Sequence, residues 1–317
     1  MKAMTDGLWR TDVVATPAWR EAAERSRFRD WVSADGSSGF AAETRRYHLY
    51  VSYACPFAHR TLLARALLGL EEAVPVSVLD PDWGGSDGWV FNDGPMATPD
   101  HVGGLATLPE VYRKAKARFT GKVTVPALWD RTRGAIVNNE SAEIMRMFEV
   151  EFRAFARKEI DLYPEPLRAE IDQINAFVGP RVNGGVYRAG FAATQEAYDA
   201  AVVDLFVALD ELEQRLSGRR FLVGERLTEA DLRLFATLVR FDVAYYGALR
   251  CNLRRLVEYP NLWAYTRRLH HLPGIAATVK LDHVKRHYWD DHEMIDRRIV
   301  PIGPEVDFGE PIAARAA

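Results

Sequence analysis

Apolar positions fall in short blocks between turn residues up to about residue 155, and from about 160 onward they recur at helical spacing. "RYHLYVS" (46–52), rich in aromatic and β-branched residues, reads as a strand. Pro56 stands where a first helical residue would. "FAHRTLLARALLGL" then continues with helical apolar spacing and ends at Gly69. "AVPVSVLD" (73–80) reads as a second strand, so residues 46–80 make a βαβ unit. Residues 81–121 interrupt it with loop chemistry, "PDWGGSDGWVFNDGPMATPD", which carries Trp83 and Trp89. "VTVPALWD" (123–130) and "AIVNN" (135–139) flank a turn at "RTRG" as a hairpin, and "ESAEIMRMFE" closes the unit as a helix.

Beyond that point the strand pattern nearly vanishes. "LRAEIDQINAFV", "QEAYDAAVVDLFVALDELEQRL", "EADLRLFATLVRFDVAYY" and "LWAYTRRLHHL" are each predicted to form one amphipathic helix. "LTEADL" is a capping-box variant, with Thr228 as N-cap and Asp231 three residues on. The predicted organisation is an N-terminal extension over 1–45, wrapping a surface, and a first domain over 46–155 with an insertion at 81–121. An all-helical domain over 156–290 and a tail over 291–317 follow.

Composition excludes several classes. A net charge of -3 over 317 residues gives no electrostatic footprint for nucleic acid. No apolar stretch approaches the ~18 residues of a membrane span. "MKAMTDGLWRTD" has no signal-peptide core. The two cysteines, Cys55 and Cys251, do not make a disulfide framework, which points to a reducing, cytoplasmic setting.

Cys55 is the first candidate for chemistry. It sits where a strand hands over to a helix, and the unpaired N–H groups and dipole of a helix start favour an anion, so a thiolate is stabilised there. The alternative is a buried structural cysteine. Ala58 replaces the second thiol of a C-x-x-C pair, so Cys55 reads as a monothiol that an external thiol must regenerate. His59 lies four residues on, but the clear ligand pairs of a zinc site are missing. Val125-Pro126 begins the third strand and, with a cis bond, would offer the Val125 backbone to an extended peptide. In "NNES", Glu140 is suited to an ammonium and Ser141, at a helix start, to a carboxylate; plain helix capping is the alternative. Together these describe a site for a small sulfur-bearing peptide.

"YHLYVSYACPFAHR", "GWVF", "VTVPALWD", "IVNNESAEIMRMF", "NGGVYRAGF", "LTEADLRLFATLVRFD" and "HYW" resemble the glutathionyl-hydroquinone reductases, the Xi class of glutathione transferases, in order from about 45 to about 303. The resemblance implies an α/β thioredoxin-like N-terminal domain and an all-α C-terminal domain. It also implies a cytoplasmic homodimer that uses glutathione as co-substrate and no metal. By position, Cys55 becomes the nucleophile, and Trp89, Lys122 (or Arg118), Val125, Glu140 and Ser141 contact glutathione. Phe57 stands at the same site where the family usually has Trp. Tyr187, Tyr245 and Tyr288 match the tyrosines that line the aromatic pocket. The implied reaction is reduction of a glutathionyl-hydroquinone through a mixed disulfide at Cys55. An omega-like thiol transferase or dehydroascorbate reductase, and a non-enzymatic binding module, are the alternatives.

Overall fold

A computed structural model describes residues 1–83, 85–290 and 308–309. The chain divides into two compact units, residues 1–159 and 160–317.

In the first unit, a four-stranded sheet runs in the order Val76–Val78, Tyr47–Val51, Ala127–Asp130, Ala135–Asn138. β3 (Tyr47–Val51) runs parallel to β4 (Val76–Val78) and antiparallel to β5 (Ala127–Asp130), which pairs antiparallel with β6 (Ala135–Asn138). All five residues of β3 are buried, which is why it reads as a block and not as an alternation. The crossover between β3 and β4 is α2 (Pro56–Leu68), buried over most of its surface and packed on α4 (Ser141–Val150). Gly69 ends α2 in the left-handed region, φ 69°, its N–H donating to the Ala66 and Arg65 carbonyls.

Two departures from the sequence reading concern this unit. Residues 1–45 hold a hairpin, β1 (Ala3–Thr5) with β2 (Leu8–Arg10), and a helix, α1 (Pro17–Arg25). Ala3, Met4 and Val32 are fully buried or nearly so, so this segment supplies core as well as cover. Strands of three residues are too short to show a period. Within 81–121 lies α3 (Leu108–Ala115), opened by a capping box between Thr107 and Glu110. Ahead of it the buried Asp100 carboxylate gathers the Val102, Gly103 and Leu105 N–H groups and the Tyr50 hydroxyl, which gives the loop its shape.

The second unit is helical among the described residues: α5 (Arg168–Val178), α6 (Gly185–Gly190), α7 (Gln195–Arg215), α8 (Glu229–Leu238), α9 (Tyr246–Ala248), α10 (Pro260–His270), α11 (Ile275–Thr278) and α12 (Leu281–Asp290). The helix expected over 229–246 is broken: a π-helical turn, Phe241–Tyr245, follows α8. A second π turn, Gly179–Asn183, joins α5 to α6. The cap at α8 is built as its sequence suggests. The fully buried Asp231 carboxylate accepts from the Thr228 N–H at 2.8 Å, the Leu222 N–H at 2.9 Å and the Tyr265 hydroxyl at 2.9 Å. The tail expected over 291–317 lies outside the described residues, apart from Phe308 and Gly309. Among the described residues no helix is long and apolar enough to cross a membrane.

Candidate active site

Cys55 is the N-cap residue of α2, in extended conformation, and takes no part in a disulfide. Its carbonyl accepts the His59 N–H at 2.9 Å, the first turn of the helix. The thiol is half-buried and its Sγ lies 3.5 Å from the Val125 carbonyl oxygen, so thiol and backbone edge meet at one point. The Val125-Pro126 bond is cis, and the regular strand begins one residue later, at Ala127.

The start of α4 carries the acidic and hydroxyl groups. Glu140 is its N-cap. Its Oε1 accepts from the Ala142 N–H at 3.3 Å and the Ser141 hydroxyl at 3.4 Å, and its own N–H donates to Asn138 Oδ1 at 2.7 Å. Ser141 is 2 % exposed. Arg60, from the second turn of α2, donates to Ser141 Oγ at 3.4 Å while its guanidinium lies 4.7 Å from the Phe57 ring centre. Arg60 as a whole is 5 % exposed. A buried cation thus stands beside the hydroxyl and next to the half-buried aromatic ring. Sequence reading passed over Arg60. The sign of it was a guanidinium four residues after the helix-starting proline, in a helix whose other residues are mostly apolar.

The other residues expected at the glutathione site are distributed as follows. Trp89 is buried, its ring 6.1 Å from Trp83. Lys122 is exposed and, with Thr124, Asn139 and Glu140, lines a cleft of about 440 Å³. Arg118 is turned to the N-terminal hairpin, where it pairs with Asp6 at 2.5 Å, so Lys122 is the basic residue of this stretch that borders the cleft.

The three expected tyrosines come together in the second unit. Tyr187 on α6 and Tyr288 on α12 have hydroxyls 2.6 Å apart. Tyr245, the last residue of the π turn that follows α8, packs edge-on to both, with ring centres 5.9 Å from Tyr187 and 5.3 Å from Tyr288. Tyr245 and Tyr288 are 0 % and 2 % exposed. Burial first, then the neighbouring Tyr245, pushes the Tyr288 phenol well above its ordinary range, so it remains a neutral donor at physiological pH. The π turn displaces this stretch from helical register, a local irregularity often found at working sites.

Residues 54–151 match the family model "Glutathione S-transferase, N-terminal domain", and residues 195–268 match "Glutathione S-transferase, C-terminal domain". Glutathionyl-hydroquinone reductase YqjG of Escherichia coli is 45% identical over 98% of each chain. Glutathionyl-hydroquinone reductase PcpF of Sphingobium chlorophenolicum is 46% identical over 96% of each. A Xi-class transferase from Natrialba magadii superposes with a TM-score of 0.94 at 48% identity, covering 99% of this chain and 96% of its own. The glutathione-bound structure of YqjG superposes with a TM-score of 0.90 at 44% identity, covering 98% and 97%. The chain belongs to the glutathionyl-hydroquinone reductases, the Xi class of the glutathione transferases.

The Xi-class assignment accounts for the two units: a thioredoxin-like sheet with its helices, then an all-α domain, as the motifs implied. It makes the chain a glutathione-dependent enzyme. Among the described residues no three His, Cys, Asp or Glu side chains gather where a metal could sit. Cys251, the second cysteine of this Xi-class chain, is fully buried, and that burial pushes its thiol up to about 12. It is therefore not a thiolate at neutral pH.

Proposed function

We propose that this enzyme reduces glutathionyl-hydroquinones to hydroquinones, releasing oxidised glutathione. The Cys55 thiolate attacks the sulfur that joins glutathione to the ring. The aromatic ring cannot leave as a bare carbanion, so it reacts from its keto tautomer, in which the sulfur-bearing carbon has already taken up a proton. The sulfur–carbon bond then breaks, its electron pair passes into the ring as aromaticity returns, the former carbonyl oxygen becomes a hydroquinone hydroxyl, and the tyrosine cluster supplies the acid. Cys55 is left in a mixed disulfide with glutathione. A second glutathione thiolate attacks its glutathionyl sulfur, regenerating Cys55 and forming oxidised glutathione.

The same reading assigns the glutathione contacts. Val125 pairs with the cysteinyl backbone, Glu140 and Ser141 hold the γ-glutamyl end, Lys122 supplies a basic contact, and Trp89 and Phe57 pack against the peptide. The enzyme works as a homodimer in the cytoplasm. The observation that carries the reading is the monothiol: Cys55 caps a helix beside a peptide-pairing carbonyl, with Ala58 where a resolving thiol would be. The test is turnover of a glutathionyl-hydroquinone, dehydroascorbate and a simple glutathione mixed disulfide on one preparation. The account expects the first to be the best substrate by kcat/KM. A clear preference for dehydroascorbate would replace it with the omega-like reading.

A further inference from the structure

The cleft along the N-terminal segment holds an arginine that the roles above leave unused. Its lining includes Trp19, Arg27 and Arg29 of that segment together with Lys122, Asn139 and Glu140. Backbone pairing fixes Arg29 there. Residue 29 bridges Asn138 as an added rung of the sheet, the Asp30 N–H donates to the Val137 carbonyl at 3.0 Å, and the Asn139 N–H donates to the Phe28 carbonyl at 3.4 Å. The side chain is anchored on one side. Its Nη1 lies 2.8 Å from Glu143, a carboxylate that Asn138 Nδ2 also holds, at 2.7 Å. Its Nη2 stands 3.8 Å from Glu140 Oε2, beyond hydrogen-bonding distance. The Arg29 and Glu140 side chains are 36% and 42% exposed, so both charges are open to a ligand.

A cation and an anion held a little too far apart to bond each other are complementary to an α-amino-acid zwitterion, whose ammonium and carboxylate are borne on one carbon. We propose that Arg29 is a specificity-determining residue for glutathione. Glu140 takes the α-ammonium of the γ-glutamyl residue, and Arg29 Nη2, with Ser141, takes its α-carboxylate. This rests on the glutathione reading above and adds to it a residue from the N-terminal segment. The planar guanidinium suits the task because Nη1 can stay on Glu143 while Nη2 binds the ligand. Selectivity follows from needing both charges: an amine alone meets Glu140 but brings no carboxylate to Arg29 Nη2.

The test is calorimetric affinity for two peptides, glutathione and 4-aminobutyryl-cysteinylglycine, which lacks only the γ-glutamyl α-carboxylate. The wild-type chain is expected to prefer glutathione roughly tenfold, the scale of one partly exposed charge-assisted contact. Arg29→Met should cut that preference to under roughly threefold by weakening glutathione alone. Should R29M not fold, Arg29→Lys serves: it keeps the charge for Glu143, but one ammonium cannot hold Glu143 and a carboxylate in the same geometry, so the preference again falls. An unchanged preference in a folded variant, or equal weakening of both peptides, overturns the role of Arg29 and leaves the glutathione reading standing. A wild-type chain that binds neither peptide overturns both.

Discussion

Arg60 and Ser141 are 81 residues apart in sequence, yet the guanidinium of one reaches the hydroxyl of the other at 3.4 Å with both residues almost wholly buried. The pair joins the helix that Cys55 caps to the helix that begins at Ser141. If Ser141 holds a carboxylate of glutathione as proposed, the positive charge beside its hydroxyl would make Arg60 a positioning residue for glutathione.

Arg60→Met is therefore expected to raise the KM for glutathione roughly tenfold with kcat within about twofold, because the contact acts on ground state and transition state alike. Arg60→Lys should recover part of the loss. Steady-state kinetics on the glutathionyl-hydroquinone would decide. A fall in kcat at unchanged KM would place Arg60 in the chemical step instead.

For the tyrosines the expected difference lies between two substrates. Tyr187→Phe, Tyr245→Phe and Tyr288→Phe should slow hydroquinone release, by ~10²-fold for the residue that donates the proton. Reduction of a simple glutathione disulfide, which expels a thiolate that needs no acid, should change far less. Equal losses on both substrates would mean packing damage; no loss in any variant would end the aromatic-pocket reading.

His48 supplies a pH dependence of stability. It is fully buried on β3, its Nε2 2.9 Å from Ser77 Oγ and its Nδ1 3.1 Å from Arg131 Nη2. Burial first, then the Arg131 charge, pushes its pKa down to about 3. In the unfolded chain the ring protonates near ~6.5. Neutral His48 thus contributes stability that is full above that pH and is lost as pH falls toward 3, with a slope of up to ~1.4 kcal/mol per pH unit from this one proton. Denaturant unfolding from pH 7 to pH 4 should show the decline, and His48→Gln should flatten it. A variant as steep as the wild type would assign the acid sensitivity to other groups.

What could be read in the chain was what local chemistry dictates. Pro56 and Gly69 bracket α2, and the Thr228–Asp231 cap stands where its residues put it. The helix at 108–115 was also written in the sequence, as Thr107-x-x-Glu110, and was obscured by the Gly- and Pro-rich stretch before it. Other features have no local mark. The π turn ending at Tyr245 interrupts a stretch whose periodicity reads as one helix. Arg29 reaches Glu143, and comes to stand beside Glu140, only because residues 28–30 pair with 137–139, a contact more than 100 residues long in sequence. The tyrosines gather from three segments for the same reason, and their shared position was reached through family resemblance and not through any periodicity.

In the proposed mechanism Cys55 takes glutathione from the substrate before any free glutathione is needed. The direct measurement is intact-protein mass after mixing the enzyme with one equivalent of glutathionyl-hydroquinone and no free glutathione, with released hydroquinone quantified in the same sample. One glutathionyl adduct, located at Cys55 by peptide mapping, and one equivalent of hydroquinone are expected. Cys55→Ser should give neither and Cys251→Ser should give both. Hydroquinone released without an adduct, or an adduct at Cys251, would contradict the mechanism.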